Sequence, residues 1–213
     1  MKTQPVETTL YSLSDAPPLA EAERRDGQRH MTLYRVGSIL VDGRRELCLI
    51  KNISAGGMMI RLYCKIAEGS SVTVELKSGQ PVVGTITWTK DLNAGVEFDE
   101  PIDVVDILSS TADAPRPRMP RVETACHATL RDGANLLRVR VCDISQGGLK
   151  VECQTIVPRG NDVIVTLPGL EPQPGLACWV EDGFIGVTFN RLIPLGELVD
   201  WLQQQRDSQR ATR

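Results

Sequence analysis

Apolar residues recur at every second position over short stretches of this chain. Val72, Val74 and Leu76 alternate with Thr73, Glu75 and Lys77, the pattern of a strand with one face on a core and the other in water. Runs of this kind cover Met31–Leu40, Glu46–Ile53, Met58–Tyr63, Ser71–Leu76, Val82–Thr89 and Ala94–Phe98, and Gly and Asp-Gly signals such as Asp42-Gly43 punctuate them. Six short strands in fewer than 70 residues predict an antiparallel barrel with an apolar inner face. A helical spacing then follows: Leu195, Leu198, Val199 and Leu202 fall at i, i+3, i+4 and i+7 after Pro194, predicting a helix that ends near Gln205. Val104, Val105, Ile107 and Leu108 predict a shorter counterpart upstream.

The pattern occurs twice. Lys51-Asn-Ile-Ser-Ala-Gly-Gly-Met-Met-Ile60 reappears as Cys142-Asp-Ile-Ser-Gln-Gly-Gly-Leu-Lys-Val151. Adding 91 to Ser54, Gly57, Gly69, Val72, Val74, Leu76, Gly84, Trp88, Gly95, Val96 or Phe98 lands on the same residue type each time. A register constant over so many positions marks duplication of a whole domain. The fold class expected is therefore mainly all-β: two tandem six-stranded antiparallel barrels, each followed by a short C-terminal α-helix. The expected boundaries are a flexible N-terminal tail at 1–22, a first domain at 23–111, a second with its helix at 112–206, and a tail at 207–213. The paired Trp88 and Trp179 are expected in a shared core or strand-packing role.

Composition narrows the classes of function. A formal net charge of -3 and an aromatic share of 4% argue against a nucleic-acid-binding barrel, which would need a basic groove and stacking platforms. No stretch nears the roughly 20 apolar residues that span a bilayer. Residues 1–18 lack the apolar core of a signal peptide, so the expected location is the cytoplasm. The six cysteines form no Cys-x-x-Cys pair and do not superpose between the repeats, which predicts reduced, mostly buried thiols rather than a metal site or shared disulfide. His30 and His127 have no ligand or triad partners at suitable spacing. No phosphate-cradling loop, nucleophile elbow or convincing carboxylate pair occurs, so neither an enzyme nor a cofactor is expected.

The chemistry lies in arginines. Arg24-Arg25-Asp26-Gly27-Gln28-Arg29 precedes the first barrel, and Asn52-x-Ser54-x-x-Gly57 lies about two dozen residues on. This order and spacing resembles the PilZ domain family, whose pattern is Arg-x-x-x-Arg followed by Asp/Asn-x-Ser-x-x-Gly, and the resemblance covers nearly the whole chain after the tail. It implies binding of the bacterial second messenger cyclic di-GMP. The ligand's two phosphates and guanine O6/N7 edges suit the planar fork of an arginine. Carried over residue by residue, the resemblance implies that Arg25 and Arg29 clamp phosphate and guanine, with Arg24 assisting. Asn52 would hydrogen-bond a guanine, Ser54 would bond ligand polar groups, and Gly57 would let backbone and ligand approach closely.

A second candidate site combines Arg116, Arg118 and Arg121 with Asp143, Ser145 and Gly148. Its Asp-x-Ser-x-x-Gly half is intact. Matching Arg29 to Arg121 puts Pro117 where Arg25 would stand, so the first copy is the better ligand site. The expectation is a cyclic di-GMP receptor that passes the signal to an unidentified downstream protein partner, with no nucleic acid partner, no membrane span, and homodimerisation open. The alternative is a ligand-independent protein interaction scaffold with degenerate nucleotide sites.

Overall fold

The computed structural model describes residues 32–75, 81–105 and 119–211. The expected tail at 1–22, the arginines 24, 25, 29, 116 and 118, and residues 112–118 of the expected second domain lie outside the described residues.

The first barrel comprises β1 (Thr32–Val41), β2 (Arg44–Ser54), β3 (Gly57–Leu62), β4 (Ser71–Glu75), β5 (Pro81–Lys90) and β6 (Asn93–Phe98). It closes in the order β1-β2-β3-β6-β5-β4, with every pairing antiparallel. The second comprises β7 (Val122–Asp132), β8 (Asn135–Ser145), β9 (Gly148–Glu152), β10 (Asp162–Thr166), β11 (Gln173–Glu181) and β12 (Phe184–Phe189), closed in the equivalent order. Closure leaves no open sheet edge.

Alternation builds each core. Val72 and Val74 of β4, and Val163 and Val165 of β10, are buried, with their intervening neighbours half-exposed. Asp42-Gly43 and Asp182-Gly183 take positive φ at both residues, the backbone that tight two-residue hairpins need.

Three β-bulges recur at positions 91 apart, between Thr32/Arg35 and Glu123/Cys126, Ile50/Asn52 and Val141/Asp143, and Ile86/Trp88 and Ala177/Trp179. The last pair corrects the core half of the expectation of a core or strand-packing role for the tryptophans. Ile86 and Ala177 point inward and are fully buried, but the bulge shifts the phase of the strand. Trp88 and Trp179 therefore come out on the surface, 41% and 37% exposed, each lying over its cross-strand glycine. A Cβ at Gly95 or Gly186 would stand 2.0 Å from the indole Nε1. Their role is strand packing, with the ring covering backbone that glycine leaves bare.

The helix after the first barrel is described only at Val104 and Val105, which are helical; the rest of that prediction lies outside the described residues. The C-terminal helix, Leu195–Ala211, is longer than the short helix expected and continues past Gln205 and Arg206. Its first half is held by apolar burial of Leu198, Val199, Trp201 and Leu202 in the second core. Its second half is held by polar contacts, which apolar spacing does not announce.

The barrels meet along β2 and β7. Leu47 and Cys48 are consecutive and both buried, although adjacent residues of a strand face opposite ways. Cys48 belongs to the first core, whereas Leu47 joins the second core's cluster, with Val36 and Tyr63 packed against it. Gln203 Nε2 donates to Tyr63 O at 2.5 Å, and Arg206 pairs with Glu46, from the helix to the first barrel. Of the six cysteines, all free, only Cys48 and Cys153 are buried and the other four are half-buried, which corrects the expectation of mostly buried thiols.

Candidate functional site

The two motif turns occupy the same place in each barrel, joining β2 to β3 and β8 to β9. Each begins just after a bulge, at Asn52 or Asp143, so the local twist re-aims that side chain.

Each turn is internally satisfied. Ser54 Oγ donates to Gly57 O at 3.1 Å, and Ser145 Oγ donates to Gly148 O at 3.0 Å. The backbone carbonyls between them are taken as well. Phe98 N donates to Gly56 O and Ile102 N to Ala55 O; Phe189 N donates to Gly147 O and Ile193 N to Gln146 O. These bonds tie the turn to the chain leaving the last strand and make it a rigid platform.

The glycines are required by the next strand. A Cβ on Gly57 would stand 2.5 Å from Val96 O, and one on Gly148 would stand 2.2 Å from Val187 O. That spacing admits no side chain, because a backbone carbonyl cannot step aside. Room for the neighbouring strand is thus a sufficient reason for glycine here, besides the ligand approach expected from the sequence.

The leading residues of the turns differ. Asn52 Oδ1 accepts from Met59 N at 3.1 Å. Asp143 instead receives Arg121 Nη1 at 2.5 Å, in a half-exposed ion pair between the segment ahead of β7 and the turn. The structure thus brings together Asn52, Ser54 and Gly57 in one site and Arg121, Asp143, Ser145 and Gly148 in the other. The remaining predicted arginines, 24, 25, 29, 116 and 118, are not among the described residues.

Beside Asp143 runs an open groove of about 590 Å³, lined in part by Thr124, Arg140, Lys150, Phe184 and Gln209. The sequence motif did not single these residues out. Lys150 is the cross-strand partner of Asp143, and its ammonium sits 4.0 Å from the centroid of the Phe184 ring. Arg140 is held by Glu152, with Nε to Oε2 at 2.7 Å. The signal available in the sequence was the pair of cations flanking the motif, one on each side, which the first copy lacks at Leu49 and Met59. Two anchored cations thus stand beside the motif turn, Arg140 paired with Glu152 and Lys150 resting on Phe184. Among the described residues, no group of three or more His, Cys, Asp or Glu is arranged to hold a metal ion, and no helix is long and apolar enough to cross a membrane.

The family model described as PilZ domain matches residues 23–110 and again residues 115–203. No curated protein matches the chain. Among solved structures, the Borreliella burgdorferi PlzA protein in complex with c-di-GMP is 11% identical, covering 79% of this chain and 86% of that one at a TM-score of 0.34. Escherichia coli YcgR in complex with c-di-GMP is 13% identical over 84% and 88%, at 0.34. The Bacillus subtilis inhibitor of motility MotI/DgrA is 14% identical over 84% and 96%, at 0.33. Identities and TM-scores this low leave the family match to carry the assignment.

Proposed function

The chain belongs to the PilZ domain family, and from that membership we propose that it is a cytoplasmic receptor for cyclic di-GMP that passes ligand binding to a partner protein through a change of conformation. The observation that carries the reading is the contact of Arg121 with Asp143: an arginine from the segment ahead of a barrel reaches the first residue of the motif turn. Arg25 and Arg29 stand in the equivalent segment ahead of the first barrel. Their guanidinium groups would take two phosphate oxygens or the guanine O6/N7 edge in bidentate fashion, against the platform that carries Asn52. The turn supplies a fixed surface, and the arginines supply the positive charge that pairs with the ligand's phosphates. Binding rather than catalysis is the chemistry these groups suit.

One observation favours the ligand-independent scaffold as second reading. The hydroxyls of Ser54 and Ser145 already donate within their own turns, and Gly57 and Gly148 are needed by the neighbouring strands. The Ser-x-x-Gly half of the motif would be kept by folding alone. Thermal unfolding with and without cyclic di-GMP separates the two readings. A receptor at a ligand excess of 100 times Kd gains about 2.7 kcal/mol, and Arg25→Ala or Arg29→Ala removes most of that gain. An unfolding temperature indifferent to the nucleotide in all three proteins selects the scaffold.

A further inference from the structure

The C-terminal helix touches both barrels in succession. Trp201 is buried in the second barrel and its Nε1 donates to Pro168 O at 2.8 Å. Gln203 and Arg206 then cross to Tyr63 and Glu46 of the first barrel. Gln209 returns to the second, its Nε2 donating to Ala125 O of β7 at 3.1 Å.

Gln209 also lines two openings at once. One is the groove beside Asp143; the other is a cleft of about 320 Å³ between the barrels, which Arg44, Glu46 and Arg206 also line. On the other side of the Arg206–Glu46 bridge lies a cleft of about 330 Å³ that shares those three residues. The bridge is thus bordered by open space on both sides, although it is itself partly buried, its Arg206 and Glu46 side chains 30% and 13% accessible.

The groove has the parts of an anion site outside the family motif. Arg140 engages Glu152 through Nε and Nη2, which leaves Nη1 outside that pair, and Lys150 is steadied on Phe184. Both cations are anchored, so holding an anion costs little further side-chain entropy. Two carboxylates also line the groove: Asp143, whose charge is balanced by Arg121, and Glu123, its cross-strand neighbour.

Resting on the cyclic di-GMP reading above, we infer that this groove is a ligand site wired to the barrel junction, in which Arg140 and Lys150 hold the anionic part of the ligand and Gln209 reports its presence to the Arg206–Glu46 bridge. The Gln209 amide exchanges a single exposed hydrogen bond to Ala125 for one to the ligand. Arg206, three residues earlier in the helix, shares the adjacent face and is displaced with it. The junction loosens when the groove fills.

Hydrogen exchange by mass spectrometry on the full-length protein tests this, with cyclic di-GMP as probe and calorimetry on the same samples. Saturating nucleotide should speed exchange of the segments 44–47 and 60–65 about fivefold, the factor for about 1 kcal/mol of lost contact. Arg140→Ala combined with Lys150→Ala should remove one component of binding and the exchange response together. At saturation, whatever its affinity, Gln209→Ala should lose the response. Binding by the unaltered protein with no change at the junction overturns the inference while the receptor reading stands. So does a full response in Gln209→Ala, or an unaltered isotherm in the double variant. No nucleotide binding at all overturns both.

Discussion

Arg121 and Asp143 lie 22 residues apart and meet at 2.5 Å, fastening the chain ahead of the second barrel to the first residue of its motif turn. In the first barrel the same position is Asn52, whose Oδ1 takes a backbone N–H from β3. One residue holds a guanidinium and its counterpart holds the sheet, so the duplicated turn has two electrostatic characters.

The pair is half-exposed, with side chains 38% and 22% accessible, and contributes little to stability. Asp143→Asn should therefore shift the urea midpoint by no more than about 1 kcal/mol in free energy, while weakening nucleotide binding at the second barrel. Larger destabilisation would show that the pair is chiefly structural.

The motif glycines behave differently. Gly57→Ala and Gly148→Ala each place a methyl within 2.5 Å of a backbone carbonyl. Each should cost on the order of 2–4 kcal/mol without any ligand present, in the range of severe overpacking. Thermal unfolding of the nucleotide-free variants checks this; unchanged stability would assign the glycines to ligand approach instead.

Leu92 carries a strain that its counterpart avoids. The β5–β6 turn is Asp91-Leu92, with φ of 49° and 64°, whereas the equivalent turn is Asp182-Gly183. A left-handed backbone costs a leucine about 1–2 kcal/mol, and its side chain is 58% exposed, so little packing offsets the strain. Leu92→Gly should be neutral to about 1 kcal/mol stabilising after the entropic cost of glycine, read from the urea midpoint. A clear loss of stability would mean that Leu92 packs against something essential.

Three thiols predict an alkaline limit. Burial pushes Cys48 up to about 12, and Cys64 and Cys126 each up to about 11. An unfolded cysteine titrates near about 8.5, so above that pH the unfolded chain binds fewer protons than the native one. The stability from these groups is complete below the unfolded value and is lost as pH rises towards the folded ones. Under reducing conditions the urea midpoint should fall between pH of about 8.5 and 11, and the slope should be shallower in Cys48→Ala. A slope indifferent to that substitution would contradict the assignment.

Much of the fold could be read from spacing, because Val72, Val74 and their repeats keep the simple two-residue period. The reading failed where the period is broken. The bulge after Ile86 turned Trp88 outward, and its copy did the same to Trp179. Leu47 looked like an ordinary strand residue because only the arriving second barrel gives its outer face a reason to be apolar. At the site, Asp143 and Ser145 were legible as part of a motif. Arg140, Lys150 and Gln209 were not, since their common groove exists only once β8, β9 and the C-terminal helix are assembled.

Calorimetric titration of the whole protein with cyclic di-GMP, with GTP as control, tests the receptor reading most directly. The account predicts saturable heat with cyclic di-GMP alone, at a binding free energy of about -8 kcal/mol or stronger, equivalent to a Kd of about 1 μM or less. It also predicts loss of most of that heat in Arg25→Ala. No heat at high ligand concentration, together with no thermal shift, would contradict the receptor and leave two barrels that act through protein contacts.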